Sequence, residues 1–274
     1  MVTEATPKIK HIIAIASGKG GVGKSTTAVN LALALIEQQL QVGLLDADIY
    51  GPNQPFMLGV AQQKPQSSDS KTLEPIRAHG IQTMSIGYLI DRDTPMIWRG
   101  PMASNALQRL FRDTNWHDLD YLIIDLPPGT GDIQLSLAQK ISLTGAVIVT
   151  TPQEVALLDI RKAIGMFLQV KVPILGVVEN MSTHICSHCG QQDEIFGVGG
   201  GARITEEYQI PLLGSLPLDK RIREQSDQGV PVFNAQPKGL IAEVYREIAI
   251  KLIARVSEQK HTHISFPKIV IEDK

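Results

Sequence analysis

The stretch Gly18-Lys-Gly-Gly-Val-Gly-Lys-Ser25 constrains the fold more than any other part of this chain. It fits G-x-x-x-x-G-K-[ST] and lies between a short apolar run, 10–16, and residues 25–39, whose apolar side chains recur at helical spacing. A glycine-rich turn that leaves a strand and opens a helix offers successive N–H groups to an anion, and the helix N-terminus adds partial positive charge. The pattern predicts a phosphate cradle for ATP formed by Gly18, Lys19, Gly20, Gly21, Val22, Gly23, Lys24, Ser25 and Thr26. Lys24 is expected to reach the β- and γ-phosphates, and the Ser25 hydroxyl to ligate Mg2+. The bland alternative, a turn that binds nothing, fits poorly with strand, loop and helix all in order.

The apolar runs at 42–45, 121–124, 146–150 and 174–178 show no alternation, as strands buried on both faces do. Helical patterns fall between and after them, at 103–111, 133–141, 154–168 and 240–256. The expected class is therefore α/β, a mostly parallel sheet with helices on both faces. Residues 73–77 and 81–86 flank Ala-His-Gly and read as a β-hairpin appended to that sheet, while the polar stretch 62–71 reads as a mobile loop. A length of 274 residues with 43% hydrophobic content suits one domain, with a core of about 10–256 and a tail at 257–274 that lacks a helical pattern.

With 26 basic and 28 acidic residues the net charge is −2, and no long Lys/Arg run offers a bulk-charge grip on nucleic acid. No stretch approaches the ~18 apolar residues of a membrane span, and the N-terminus has no leader pattern. The expectation is a soluble, cytoplasmic protein with neither nucleic acid nor membrane as partner.

Acidic residues follow the predicted strands. Asp46 and Asp48 end the second, where carboxylates can face Mg2+ and the attacking water. Asp125 ends another and leads into Leu-Pro-Pro-Gly129-Thr-Gly131-Asp132, an acid delivered to Mg2+ and joined to a switch loop whose glycine backbone can sense the γ-phosphate. A single strand-end Asp is as often a helix cap, but three after a phosphate loop are not independent accidents.

Cys186 and Cys189 are the only cysteines, in Cys-x-x-Cys-Gly. They make no disulfide framework, and the spacing lets both sulfurs face one metal while backbone N–H groups beyond the pair offset the thiolate charge. Two thiolates are half a ligand set. From the residues alone, zinc held between two chains or completed by His184 and His188, an iron–sulfur cluster, redox chemistry and two ordinary thiols all stay open.

The fuller pattern KGGVGKST, with its second lysine at Lys19, resembles the deviant Walker A motif of the MinD/ParA/nitrogenase-iron-protein class. That resemblance implies a homodimer in which Lys19 crosses to the partner's nucleotide and acts catalytically with Lys24. It also implies that Asp48 orients or activates the attacking water, that Asp46 supports the metal shell, that Asn180 reads the adenine edge and that Asp219 lines the base pocket. Asp46-Ala-Asp48-Ile-Tyr-Gly-Pro-Asn53, Trp98-Arg-Gly-Pro-Met102, Asp125–Asp132, Glu179-Asn-Met, CxxC and Phe196-Gly-x-Gly-Gly-Gly201 together resemble the Mrp/ApbC family over about residues 10–235. Members are P-loop ATPases that carry iron–sulfur clusters. The resemblance implies a 4Fe–4S cluster bridging two chains, with Cys186 and Cys189 of each giving two of its four thiolates. It also implies slow ATP hydrolysis, apo iron–sulfur proteins as recipients and a scaffold as cluster donor. The small N-terminal domain and the N-terminal four-cysteine motif of some relatives are not expected here, which leaves any function that depends on them without support.

Two alternatives belong to other classes. A MinD-type positioning ATPase would call for an amphipathic C-terminal helix, which 265–274 does not suggest, and a ParA-type one for a basic surface. Nitrogenase-type electron transfer would place a cysteine in the switch segment, and 125–132 has none. Trp98-Arg99-Gly-Pro101 reads equally as a helix start or as a surface for a partner, and without metal the cysteine loop is expected to have little fixed structure.

Overall fold

The computed structural model describes residues 9–67, 69–90, 100–186 and 188–261. In chain order the elements are β1 (Ile9–Ala16), α1 (Lys24–Glu37), β2 (Val42–Asp46), α2 (Gln54–Met57), β3 (Ile76–Ala78), β4 (Ile81–Ser85), α3 (Gly100–Asp113), β5 (Leu119–Asp125), α4 (Asp132–Lys140) and β6 (Gly145–Thr150). They continue with α5 (Glu154–Gln169), β7 (Ile174–Glu179), β8 (His184–Ile185), β9 (Gln192–Asp193), α6 (Gly200–Tyr208), β10 (Leu212–Ser215), α7 (Lys220–Asp227), α8 (Val232–Ala235) and α9 (Leu240–His261).

Eight strands form one sheet in the order β10-β7-β6-β1-β5-β2-β4-β3, and β8 pairs with β9 apart from it. Every neighbour in the large sheet is parallel except β3, which turns back on β4 with Ala78 opposite Ile81. This is the expected hairpin, and β4 joins it to the sheet by pairing with β2.

The unalternating apolar strands have the predicted cause. Ile13, Ile15, Tyr121, Ile123, Val147 and Val149 point into a core with α1 and α9, whereas Ala14, Ala16, Leu122, Ile124, Ala146 and Ile148 point into a second core with α3, α4 and α5. Side chains alternate between faces, so a strand covered by helices on both must be apolar at every position. Leu122, Ile123, Val147 and Ile148 are all fully buried.

A parallel sheet gathers its strand ends along one edge, where ligand crevices form. Asp46 of β2 pairs with Asp125 of β5, which in turn lies opposite Ile15 of β1 just before the glycine loop. The expected helices are present; the last runs to His261, beyond the predicted 256, and its Ile253 and Val256 pack on the α1 side of the sheet. The segment after α2 forms no regular element in its described part, and Asp69 there accepts from the Lys71 and Thr72 backbones. Trp98 and Arg99, and the tail beyond 261, lie outside the described residues.

Candidate functional site

The loop between β1 and α1 uses its glycines for different purposes. Gly21 and Gly23 have φ of 80° and 84°, a left-handed backbone that strains any residue with a side chain. Gly18 has ordinary angles but no room, since a Cβ there would collide with the main chain of Asp159 in α5. Val22 is buried beneath the loop, and Thr27 donates its hydroxyl to the Gly23 carbonyl at 2.9 Å, closing the first turn of α1.

Behind the loop lies a buried charged cluster. Lys24 Nζ donates to Asp125 Oδ1 at 2.5 Å, with side chains only 6% and 1% exposed. A buried pair of this kind holds only while both members are present, because removing one leaves an uncompensated charge. Asp46, with no exposure, accepts from the Asp48 N–H at 3.1 Å, the Gln54 N–H at 3.2 Å and the Ser85 hydroxyl at 3.0 Å. Burial, and then the charge of Asp125, push its carboxyl up to about 8. Burial also raises Asp48, against the pull of Lys24.

A cavity of about 530 Å³ opens over this cluster, between the glycine loop and α7. Of the residues the sequence singles out, Lys19, Gly20, Gly21, Gly23, Lys24, Ser25, Thr26, Asp48, Asn180 and Asp219 line it. Gly18, Val22, Asp46, Asp125 and Gly129 are absent from its wall. Gly129 (φ 94°) instead donates its N–H to Ser17 O, tying the loop after β5 to the strand before the glycines. Asp48, Asn53 and Pro128 also line an adjoining cavity of about 570 Å³ that reaches Asp132 and Gln134.

Asn180, expected at the adenine edge, stands at the cavity wall with both ends of its amide engaged. Nδ2 donates to Val22 O at 2.8 Å and Oδ1 accepts from the Met181 N–H at 3.0 Å, so the side chain clamps β7 to the glycine loop. Asp219 caps α7 by accepting from the Arg221 N–H at 2.8 Å, and the Arg221 guanidinium beside it lowers its carboxyl.

The cysteine segment forms a small hairpin, whereas the sequence suggests little fixed structure. His184 and Ile185 pair with Asp193 and Gln192, Cys186 N donates to Gln191 O, and Gly190 N returns to Cys186 O, both at 2.9 Å. Gly190 supplies the left-handed turn (φ 73°). Cys186 is partly buried and Cys189 exposed. The Cys189 and His188 backbone N–H groups donate to the Cys186 sulfur and lower its thiol. His184 places Nδ1 3.3 Å from Leu218 O. Among the described residues no group of three or more His, Cys, Asp or Glu could hold a metal.

The hairpin is bonded to the cavity wall. Ser182 N donates to Leu216 O and Leu218 N to Thr183 O at 2.7 Å; Leu218 and Asp219 then line the cavity. On its far side Glu179 Oε1 accepts from the Gly201 N–H at 2.7 Å, holding the start of α6 against the end of β7.

Gln54, Ser85 and Glu179 have contacts the sequence does not announce. Gln54 follows directly on the Asp46–Asn53 motif, and Glu179 opens Glu-Asn-Met, so proximity to a motif was the available signal. Ser85 had none, since it reaches Asp46 only because β4 pairs with β2.

Over residues 8–253 the chain matches the family described as NUBPL iron-transfer P-loop NTPase, of the ParA group. It is 57% identical over 243 residues to an iron–sulfur cluster carrier protein of Pseudomonas fragi, covering 88% of this chain and 85% of that protein. It is 55% identical over 248 residues to the carrier of Salmonella typhimurium, covering 90% and 67%. A nucleotide-binding protein of Archaeoglobus fulgidus, solved in complex with ADP, is 40% identical with a TM-score of 0.72, over 81% of this chain and 87% of that one. MinD of Pyrococcus furiosus, at 24% identity and a TM-score of 0.66, shares the fold. No helix among the described residues is long and apolar enough to cross a membrane. The match in sequence spans most of the chain and the fold agrees with it: this chain belongs to the NUBPL iron-transfer P-loop NTPases.

Proposed function

We propose that this protein, as a homodimer, binds and slowly hydrolyses MgATP, and carries a 4Fe–4S cluster shared between the Cys186 and Cys189 pairs of the two copies. A donor scaffold would load the cluster, and apo iron–sulfur proteins would receive it. The observation that carries the proposal is the bonding of the cysteine hairpin to the nucleotide cavity: residues 182–184 hydrogen-bond to 216–218, whose neighbours form the cavity wall.

Lys24 would leave Asp125 for the β- and γ-phosphates, and the cation set beside Ser25 and Asp125 would replace the lysine's charge. When bound, Mg2+ would offset phosphate charge; the donor set fits it, since Asp125 and the Ser25 hydroxyl lie on either side of the Lys24 ammonium. Asp48 faces the cavity and would position the attacking water, while Lys19 would reach the partner's nucleotide. Asn180 would meet the adenine edge only by exchanging its present bonds for the base, which makes it the link between nucleotide and hairpin. Asp219 would remain at the base-side wall, and the Gly129 N–H, now on Ser17 O, would report the γ-phosphate.

The cluster is cargo. An exposed hairpin presents it to recipients, N–H donors favour the Cys186 thiolate, and two thiolates per chain call for a second copy. Unpaired, partly exposed cysteines suit a reducing compartment, which supports a cytoplasmic setting, and one eight-stranded sheet covered by helices on both faces supports one ATPase domain.

Anaerobic reconstitution with iron and sulfide, followed by absorption and electron-resonance spectra of wild type, Cys186→Ala and Cys189→Ala, tests this directly. Wild type should form the cluster and both variants should fail. A wild type that takes only zinc, or variants that still assemble the cluster, would overturn the carrier proposal.

A further inference from the structure

Gln54 joins the charged cluster from just beyond the Asp46–Asn53 motif. It sits at the first turn of a four-residue helix, has no exposure, and belongs to no motif with a known spacing. Its carboxamide Nε2 donates to two acceptors at once, the Ser25 carbonyl and Asp125 Oδ2, each at 2.9 Å. Its own N–H donates to Asp46. One residue therefore ties together the first turn of α1, the end of β5 and the end of β2. The donor end must face Ser25 and Asp125, since both partners are acceptors, so the amide orientation is fixed by chemistry. The opposite end, Oε1, is buried with no hydrogen-bond partner among the described residues.

A buried carbonyl left without a donor costs free energy, and native proteins keep few such groups. The cost is removed if a donor arrives with a ligand. A hydrated divalent cation brings such donors, because its bound waters present polarised O–H groups and Mg2+ in particular keeps several of them. The two groups that Nε2 holds are the backbone of one proposed ligand and the carboxylate of the other.

We propose that Gln54 is a positioning residue for Mg2+, fixing Ser25 and Asp125 through Nε2 and accepting from a metal-bound water through Oε1. This rests on the proposed MgATP reading but is separable from it. Ser25 and Asp125 come from different elements, and Gln54 and Lys24 each bond to both. Lys24 touches the Ser25 hydroxyl and Asp125 but is the group expected to leave for the phosphates. Gln54 would keep the pair in register once it has gone.

The test is equilibrium binding of a fluorescent ADP, titrated with Mg2+ and repeated in EDTA, for wild type, Gln54→Met and Gln54→Asn. Methionine matches the length of the side chain without its polar ends; asparagine keeps the amide but cannot span both partners. For both variants the Mg2+ midpoint should rise about tenfold, while affinity for ADP in EDTA changes less than about twofold. A purely structural role would lower the melting temperature and weaken binding equally with and without Mg2+, and that result would overturn the proposal. So would a Mg2+ midpoint equal to wild type in either folded variant; if the methionine variant does not fold, the asparagine variant carries the measurement. A wild type that binds no nucleotide would instead defeat the MgATP reading, and this inference with it.

Discussion

The glycine-loop cluster and the cysteine hairpin lie at the two ends of one wall yet are built in opposite ways. Around the loop Lys24, Asp46 and Asp125 are buried and bonded within the same chain: Lys24 to Asp125, Asp125 to Gln54, Asp46 to Ser85 and Gln54. The hairpin keeps its backbone paired but leaves Cys189 exposed, and among the described residues no third ligand stands near. The first region is a complete device that waits for a ligand. The second is half of a device and waits for another copy of itself.

That contrast can be broken from either end. The largest effect expected is a double dissociation. Cys186→Ala and Cys189→Ala should abolish cluster assembly while ADP affinity stays within about twofold and stability within about 0.5 kcal/mol, as for surface changes away from special features; nucleotide-titration and melting curves check both. Lys24→Ala should do the reverse, weakening ADP more than a hundredfold. It should also cost about 3 kcal/mol of stability by stranding buried Asp125, read from urea unfolding, while the cysteines still accept a cluster.

Glycine substitutions sharpen the same comparison. Gly18→Ala forces a side chain against the Asp159 backbone and should cost about 1–3 kcal/mol, with a parallel loss of ADP affinity. Gly190→Ala meets open space and is opposed only by its left-handed angles, so about 1 kcal/mol, confined to the hairpin, is expected in hydrogen exchange.

The last effect concerns pH. Folded Asp46 keeps its proton to about 8, whereas unfolded it releases it near the ordinary 3.8. Between those values the folded protein binds more protons, so the stability of the nucleotide-free protein should fall as pH rises from about 4 to 8, by at most about 1.4 kcal/mol per pH unit. Asp46→Asn, which cannot ionise, should flatten that slope; equal slopes in urea unfolding at pH 5 and pH 8 would contradict the account.

The same division explains what the sequence made legible. The glycine loop, its flanking strand and helix, and Asp46, Asp48 and Asp125 lie in contiguous motifs, and the strands are apolar at every position because both sheet faces are covered. The hairpin at Ala78–Ile81 was readable from its turn. What escaped depends on distant parts of the chain: Gln54 bonds residues 29 and 71 positions away, Ser85 one 39 away, and Gly18 is required by α5 rather than by its own loop. The pairing of β8 with β9 escaped because two-residue strands carry no periodicity.

The central claim is that the metal site exists only across two copies. Iron and sulfide should be assayed per chain on the reconstituted protein, together with its mass in solution. The account predicts half a 4Fe–4S cluster per chain, found only in a two-chain species that reverts to iron-free protein with Cys186→Ala. A full cluster on a single chain, or cluster-loaded protein with both cysteines replaced, would contradict it.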